Sequence, residues 1–331
     1  MSSWANRGIP RRRDLSQIPD AFRPVIIPRV ERPEIMQSET FIQSDIKKQN
    51  ELVYPVESDW KALPPFSGYN STSVKTIAVK PAVNAKELIH NEKSYVFVIL
   101  RNIQQAADNE LWLSCYNSIR QYYTNQIIII DDNSSINTYN GKLVNTDIIQ
   151  SEFNGAGEIL PYIYFQKQRW ADTMIFMHDS MVLHRAFTED ELDHEVVFHW
   201  HFKETSQDLI KKSSTLLSLL RVSSEVNTYA LSGEWIGCFG GALIIDIAVV
   251  DMLEEKYKIS NLTTYVRTRK QRQLVERVIG ILLSYEKKVS SNFGDITKFP
   301  YPFEVNSLQA TVKNMSYANY NTAIIKIWRG R

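Results

Sequence analysis

Two runs of β-branched and apolar residues, Tyr95-Val-Phe-Val-Ile-Leu100 and Gln126-Ile-Ile-Ile-Ile130, constrain this chain more than any other feature. Neither alternates with polar residues, so each is expected to be a strand covered on both faces. Between them, Asp108 to Tyr123 spaces Leu111, Trp112, Cys115, Ile119 and Tyr122/Tyr123 three or four positions apart. That spacing predicts an amphipathic helix, with Asp108 or Asn109 as its cap. Strand, helix, strand is one βαβ unit, whose strands lie parallel and are joined by a right-handed crossover.

The alternation continues. Asn154 to Phe165 reads as a glycine-initiated helix, Thr173 to Met177 as a third buried strand, and His194 to Phe202 as holding another. Leu209 to Val222 has helical periodicity, Ala242 to Ile247 is apolar and β-branched, and Lys270 to Tyr285 is amphipathic. The expected fold class is therefore α/β, with a mostly parallel, doubly wound sheet over residues 91–331. Residues 1–90 have a different texture. Prolines recur from Pro19 to Pro81 and apolar residues keep no period, which favours an extended or irregular N-terminal arm. Such an arm is either a flexible leader or a segment that docks, through Trp60, Phe66 and Tyr69, on its own domain or a neighbouring subunit.

Composition narrows the function. A formal net charge of +1 offers no bulk field for nucleic acid, and the short Arg11-Arg12-Arg13 run does not change that expectation. Cys115 and Cys238 sit in apolar company and read as buried reduced thiols. No stretch of about 18 apolar residues predicts a membrane span, and Met1 to Pro10 lacks the apolar core of a signal peptide. The expectation is a soluble, cytoplasmic protein.

In an open α/β sheet, chemistry gathers where the strands end. After the first strand comes Arg101, which reads either as a contact for a pyrophosphate or as a cap on the sheet edge. After the second come Asp131 and Asp132, adjacent carboxylates whose mutual repulsion is unfavourable unless something uses them. A nucleobase N–H or a ribose hydroxyl is one such use; a helix cap followed by an Asx turn through Asn133 and Ser134 is the other. Asn154, Gly155 and Gly157 let backbone approach a ligand, and amide groups of a first helical turn favour anions. The histidines His199 and His201 would share one face of a strand, as a metal pair or as ordinary interior groups.

Ile127-Ile-Ile-Ile-Asp-Asp-Asn-Ser-Ser135 resembles the first nucleotide-binding motif of inverting GT-A glycosyltransferases (family 2-like), a strand ending in Asp-Asp-(Gly/Asn)-Ser. Later segments follow in that family's order. Asn154-Gly-Ala-Gly-Glu158 resembles its Asn-x-Gly segment, and Thr173-Met-Ile-Phe-Met-His-Asp-Ser180 stands where it carries Asp-x-Asp. Gly233-Glu-Trp-Ile-Gly-Cys-Phe-Gly-Gly241 resembles its acceptor loop, and Glu276-Arg277 its last diagnostic position. Gly157-Glu-Ile-Leu-Pro161 and His178-Asp-Ser180 most resemble the glycosyltransferases encoded by large DNA viruses, which would place the protein in host cytoplasm or virion.

The resemblance implies that a sugar moves, with inversion, from a nucleoside-diphosphate sugar to a hydroxyl on a glycan or protein. Asp132 would hold the base. Arg101, Asp131, Asn154, Gly155, Gly157 and Arg277 would bind the nucleotide-sugar, and Trp235 and Gly240 the acceptor. Asp179 with His178 would hold Mn²⁺ or Mg²⁺, since imidazole suits transition metals, and Glu276 would take the acceptor proton. Here Asp-x-Asp is reduced to His178-Asp179-Ser180, with one carboxylate. That departure, with the long arm, motivates the alternative of a non-catalytic structural (virion or assembly) protein on a GT-A scaffold. A nucleotidyltransferase or a dinucleotide-binding dehydrogenase is disfavoured, because Arg101-Asn-Ile-Gln-Gln-Ala-Ala107 contains no glycine.

Overall fold

The apolar run at Tyr95 becomes the centre of the sheet. It lies in a strand that we label β2 (Lys93–Arg101), whose residues from Tyr95 to Arg101 are all buried. A short β1 (Ile89–His90) folds back on it antiparallel. The isoleucine run forms β3 (Ile127–Asp131), parallel to β2 with Phe97 opposite Ile127. Helix α1 (Asp108–Tyr122) connects them and buries Leu111, Trp112, Cys115, Tyr116 and Ile119. Its Asp108 carboxylate accepts from the Gln104 amide at 3.0 Å, which closes the turn out of β2. The βαβ unit is as expected.

The computed structural model describes residues 78–105, 108–136, 141–298 and 321–327. The chain divides into two units, Met1–Ser71 and Thr72–Arg331, and the α/β fold belongs to the second. The Arg11–Arg13 run and the Trp60, Phe66 and Tyr69 anchors lie outside the described residues. Residues 82–90 are hydrogen-bonded to the end of α1 and the turn after it, for example Lys86 N–H to Tyr122 O at 3.0 Å.

Beyond β3 lies β4 (Thr146–Gln150), parallel to it. On the other side of β2 lies β5 (Thr173–His178), also parallel. The sheet is completed by β10 (Leu243–Asp246) and β7 (Val196–Phe198), giving the order β4-β3-β2-β5-β10-β7. β10 is antiparallel to both of its neighbours. The fold is thus α/β with a mostly parallel central sheet, in which β10 and the short β1 are reversed. Two ribbons sit beside it: β6 (Met181–Leu183) pairs antiparallel with β11 (Ile324–Lys326), and β8 (His201–Lys203) with β9 (Ile236–Cys238).

The remaining helices are α2 (Leu160–Gln168), α3 (Glu189–Leu192), α4 (Gln207–Leu217), α5 (Ser224–Ser232), α6 (Ile247–Tyr257), α7 (Leu262–Tyr265) and α8 (Arg269–Glu286). Thr268 and Gln271 form a capping box at the start of α8. The single strand expected within His194–Phe202 is two strands, β7 and β8, because the fully buried Trp200 sits at a bend between them. Cys115 and Cys238 are buried and free. Among the described residues no helix is long and apolar enough to cross a membrane.

α8 crosses β9 at Gly280, where an added Cβ would meet Ile236 O at 2.3 Å and the Gly237 Cα at 2.8 Å. Replacing a helix glycine by alanine ordinarily stabilises by about 1 kcal/mol. Here the opposing atoms are backbone and cannot rotate away, so overpacking should win by about 1–3 kcal/mol. Gly280→Ala is expected to lower the urea midpoint; an unchanged or raised midpoint would show that the helix is free to retreat from the strand.

Candidate functional site

The parallel strands end in register. Arg101 stands opposite Asp131, Asp131 opposite Gln150, and Leu100 opposite His178. Because β10 runs the other way, the turn that leads into it, Phe239–Gly241, arrives at this same edge. There His178 Nε2 donates to Gly240 O at 2.5 Å. Gly240 has φ +65°, and a Cβ would stand 2.8 Å from that ring nitrogen, so glycine is required. Tyr162 on α2 donates to Gly241 O at 2.6 Å and fixes the turn from behind. Helix α8 packs against both this turn and the Gly157–Ile159 turn, bringing two loops and one helix to the end of β5.

The adjacent aspartates divide their work. Asp131 accepts from Arg101 Nε at 2.7 Å and from the Ser134 amide at 2.9 Å. Both side chains of this pair are 2% exposed, and the guanidinium also lies 4.8 Å over the Trp112 ring. Arg101 and Asp131 are therefore partners inside the protein, although the Arg101 Nη1 is buried without a hydrogen-bond partner. Asp132 accepts from the Gly155 amide at 2.6 Å and the Gly157 amide at 3.0 Å, with Arg272 Nη1 3.7 Å away. Burial raises its pKa, opposed by the Gly155 amide, Arg272 and the Gly157 amide.

Asp132 is thus the mount of the Asn154–Gly157 turn. Gly155 (φ +81°) and Gly157 (φ +55°) turn their amides onto that carboxylate, while Asn154 is exposed. Those two amides are engaged by Asp132. Arg272 lies beside them. Its side chain lies over Gly157, where a Cβ would meet Arg272 Cδ at 2.1 Å, and it bridges Asp132 and Glu158 at 3.7 Å each.

Arg277 does not point here. It donates to Glu204 at 2.7 Å and to Gln273 O at 2.8 Å, and lies 4.9 Å over Phe202. The arginine beside Asp132 and Glu158 is Arg272, five residues earlier on the same helix. Trp235 is 2% exposed and its Nε1 donates to Ala230 O at 2.8 Å, so its ring packs in the core. The half-buried aromatic of that loop is Phe239, next to Gly240.

Glu276 lies on α8 beside the Gly240 turn. Its carboxyl is pushed up to about 8, first by burial and then by the charge of Glu158; Arg277, the Gly240 amide and Lys326 oppose the shift. Burial also raises Glu158, whose Oε2 has no hydrogen-bond partner. Lys326 is a residue that the motifs do not mark. Strand β11 sets it opposite Met181, and its Nζ donates to Ser180 Oγ at 2.6 Å. A lysine inside the apolar run Ala323-Ile-Ile-Lys-Ile327 was the available signal, since a cation within a short β-branched segment needs a partner.

The donor set suits a metal poorly. His178 Nε2 carries the proton given to Gly240 O, and burial together with the Lys326 charge lowers its pKa to about 3. Beside it Asp179 is the one carboxylate of the His-Asp-Ser trio, and an ammonium group sits on the serine. Among the described residues no group of three or more His, Cys, Asp or Glu side chains is placed to hold a metal ion. His199 Nε2 donates to Phe176 O at 3.0 Å in a fully buried setting, whereas His201 Nδ1 bonds the Ser291 hydroxyl at 2.7 Å. They do not act as a pair.

No protein-family model matches the chain, and no curated protein does. Among solved structures, similarity is found to S. aureus TarS residues 1–349, at 14% identity and a TM-score of 0.31, covering 56% of this chain and 55% of that one. The same fragment in complex with UDP-GlcNAc matches with 14% identity and a TM-score of 0.29, over 52% of this chain and 53% of that one. A longer TarS structure matches at 16% identity and a TM-score of 0.32, over 56% of this chain and 33% of that one. The chain spans about half the length of the TarS 1–349 structures it matches.

Proposed function

We propose that the carboxyl edge of the sheet binds a nucleoside-diphosphate sugar and that the protein transfers its sugar to an acceptor hydroxyl, with inversion. The observation that carries this reading is the placement of Glu276. A carboxyl held near 8 shares one helix with Arg272, a cation mounted over the Gly157 turn, and both lie at the strand ends. A base and an anion contact on one rigid element is what a displacement at an anomeric carbon needs.

In this reading the acceptor oxygen attacks the anomeric carbon opposite the bond to the diphosphate. As the new C–O bond forms, the old one breaks and its electron pair leaves on the diphosphate oxygen. The acceptor proton passes to the Glu276 carboxylate. Arg272 faces the charge that develops on the leaving group, and Asp132 acts through the turn it mounts. Phe239 and Gly240 shape the acceptor side.

Calorimetric titration of the full chain with UDP- and GDP-sugars tests the reading. Binding is expected for at least one, and Arg272→Ala is expected to weaken it by about tenfold or more, the worth of a charge-assisted contact. Failure of every nucleotide sugar to bind would favour a non-catalytic protein built on this scaffold.

A further inference from the structure

The position after β5, where the resemblance places a divalent metal, is furnished in this chain with a lysine. β11 pairs with β6 directly behind His178-Asp179-Ser180, and the Ile327 amide donates to Ser180 O at 2.8 Å, which pins the strand to that turn. The Lys326 ammonium is thereby set on Ser180 Oγ at 2.6 Å. A serine that accepts from an ammonium presents no free lone pair in that direction, and a fixed positive charge repels a dication brought to the same place. The neighbouring imidazole has its Nε2 engaged by Gly240 O.

Lys326 is also embedded among acids. Burial lowers its proton affinity, and Asp179, Glu276 and Glu158 counter that loss. Arg272 lies over Gly157 on α8, and α8 packs against the Gly240 turn that His178 bonds, so it approaches the end of β5 from the helix side while Lys326 approaches from β11. We propose that Lys326, seated on Ser180 by β11, receives the donor diphosphate together with Arg272 and stands in for the divalent metal. This rests on the nucleotide-sugar reading above. The ammonium neutralises the negative charge that arrives on the diphosphate as the anomeric C–O bond breaks.

The test is equilibrium binding of UDP, GDP, ADP and dTDP to the full chain, in EDTA and in Mn²⁺, for wild type, Lys326→Met and Lys326→Arg. Wild type is expected to bind one diphosphate in EDTA as tightly as in Mn²⁺. Lys326→Met should weaken that binding by about ten- to a hundredfold, as for loss of a charged hydrogen bond. Lys326→Arg should keep most of it, and the matching nucleoside, which has no phosphates, should bind wild type and Lys326→Met alike. Diphosphate binding that requires Mn²⁺, or a folded Lys326→Met that binds like wild type, would overturn the inference and leave the nucleotide reading standing. If Lys326→Met does not fold, the EDTA comparison on wild type decides. No diphosphate bound in either condition would remove the nucleotide reading, and this inference with it.

Discussion

Glu276→Gln should lower the rate of sugar transfer by about 10²–10⁴-fold, the range for loss of a positioned general base. Donor affinity should hold, because the diphosphate contacts belong to Arg272 and Lys326. The pH profile gives a sharper readout. A base must be ionised to accept a proton, and this carboxyl is raised to about 8, so wild-type activity should climb with pH and level off above that value. The residual rate of Glu276→Gln should lack the climb. Stability runs the opposite way. A raised folded-state pKa means that the folded protein keeps a proton which the unfolded chain has released. The stabilising contribution is complete below the ordinary carboxyl range and is lost as pH rises through about 8. Glu276→Gln should therefore melt higher than wild type at alkaline pH. A glutamine variant with wild-type turnover at saturating donor would sink the assignment.

The second large effect is structural. Arg101→Met should destabilise the protein by about 3–5 kcal/mol, because it leaves the Asp131 carboxylate buried without its partner. The two side chains are each 2% exposed, so water does not replace the lost contact. The Trp112 ring loses the guanidinium that lies over it as well. Adding Asp131→Asn removes the stranded charge while keeping an acceptor for the Ser134 amide, so the double variant should recover part of the loss. Urea denaturation of the two single variants and the double variant measures that coupling. A variant of unchanged stability that had lost nucleotide affinity would instead return Arg101 to the pyrophosphate.

Strands β2 and β3 and the long helices α1 and α8 were legible in the sequence because each carries a local pattern of its own. β4 was not, since Thr146-Asp-Ile-Ile-Gln150 is an edge strand with no fully buried residue and little apolar weight. β11 has three residues, and its partner lies far away in sequence. The site shows the same division. Asp132 bonds the Gly155–Gly157 turn, and α8, which carries Glu276, packs against that turn and the Gly240 turn bonded by His178; strand-end position marked Asp132 and His178, and the resemblance marked the glycines and Glu276. Orientation was not marked. Nothing in Glu276-Arg277 says that its arginine turns to Glu204 while Arg272 turns to Asp132, since 100° per residue separates helix faces that a motif treats alike. Trp235 in a glycine-rich loop fits a sugar platform or a core plug equally well. Its bond to Ala230 O decides for the core.

The ribbon of β6 and β11 also bears on the order of folding. The βαβ unit closes over short distances along the chain, whereas the Lys326–Ser180 contact joins residues 146 apart. Closing so long a loop is slow relative to local pairing. In a refolding experiment the sheet should therefore regain its far-ultraviolet signal before the chain regains affinity for a diphosphate. Until β11 docks, the protein has its sheet and the carboxyl of Glu276, but Lys326 has not yet reached Ser180.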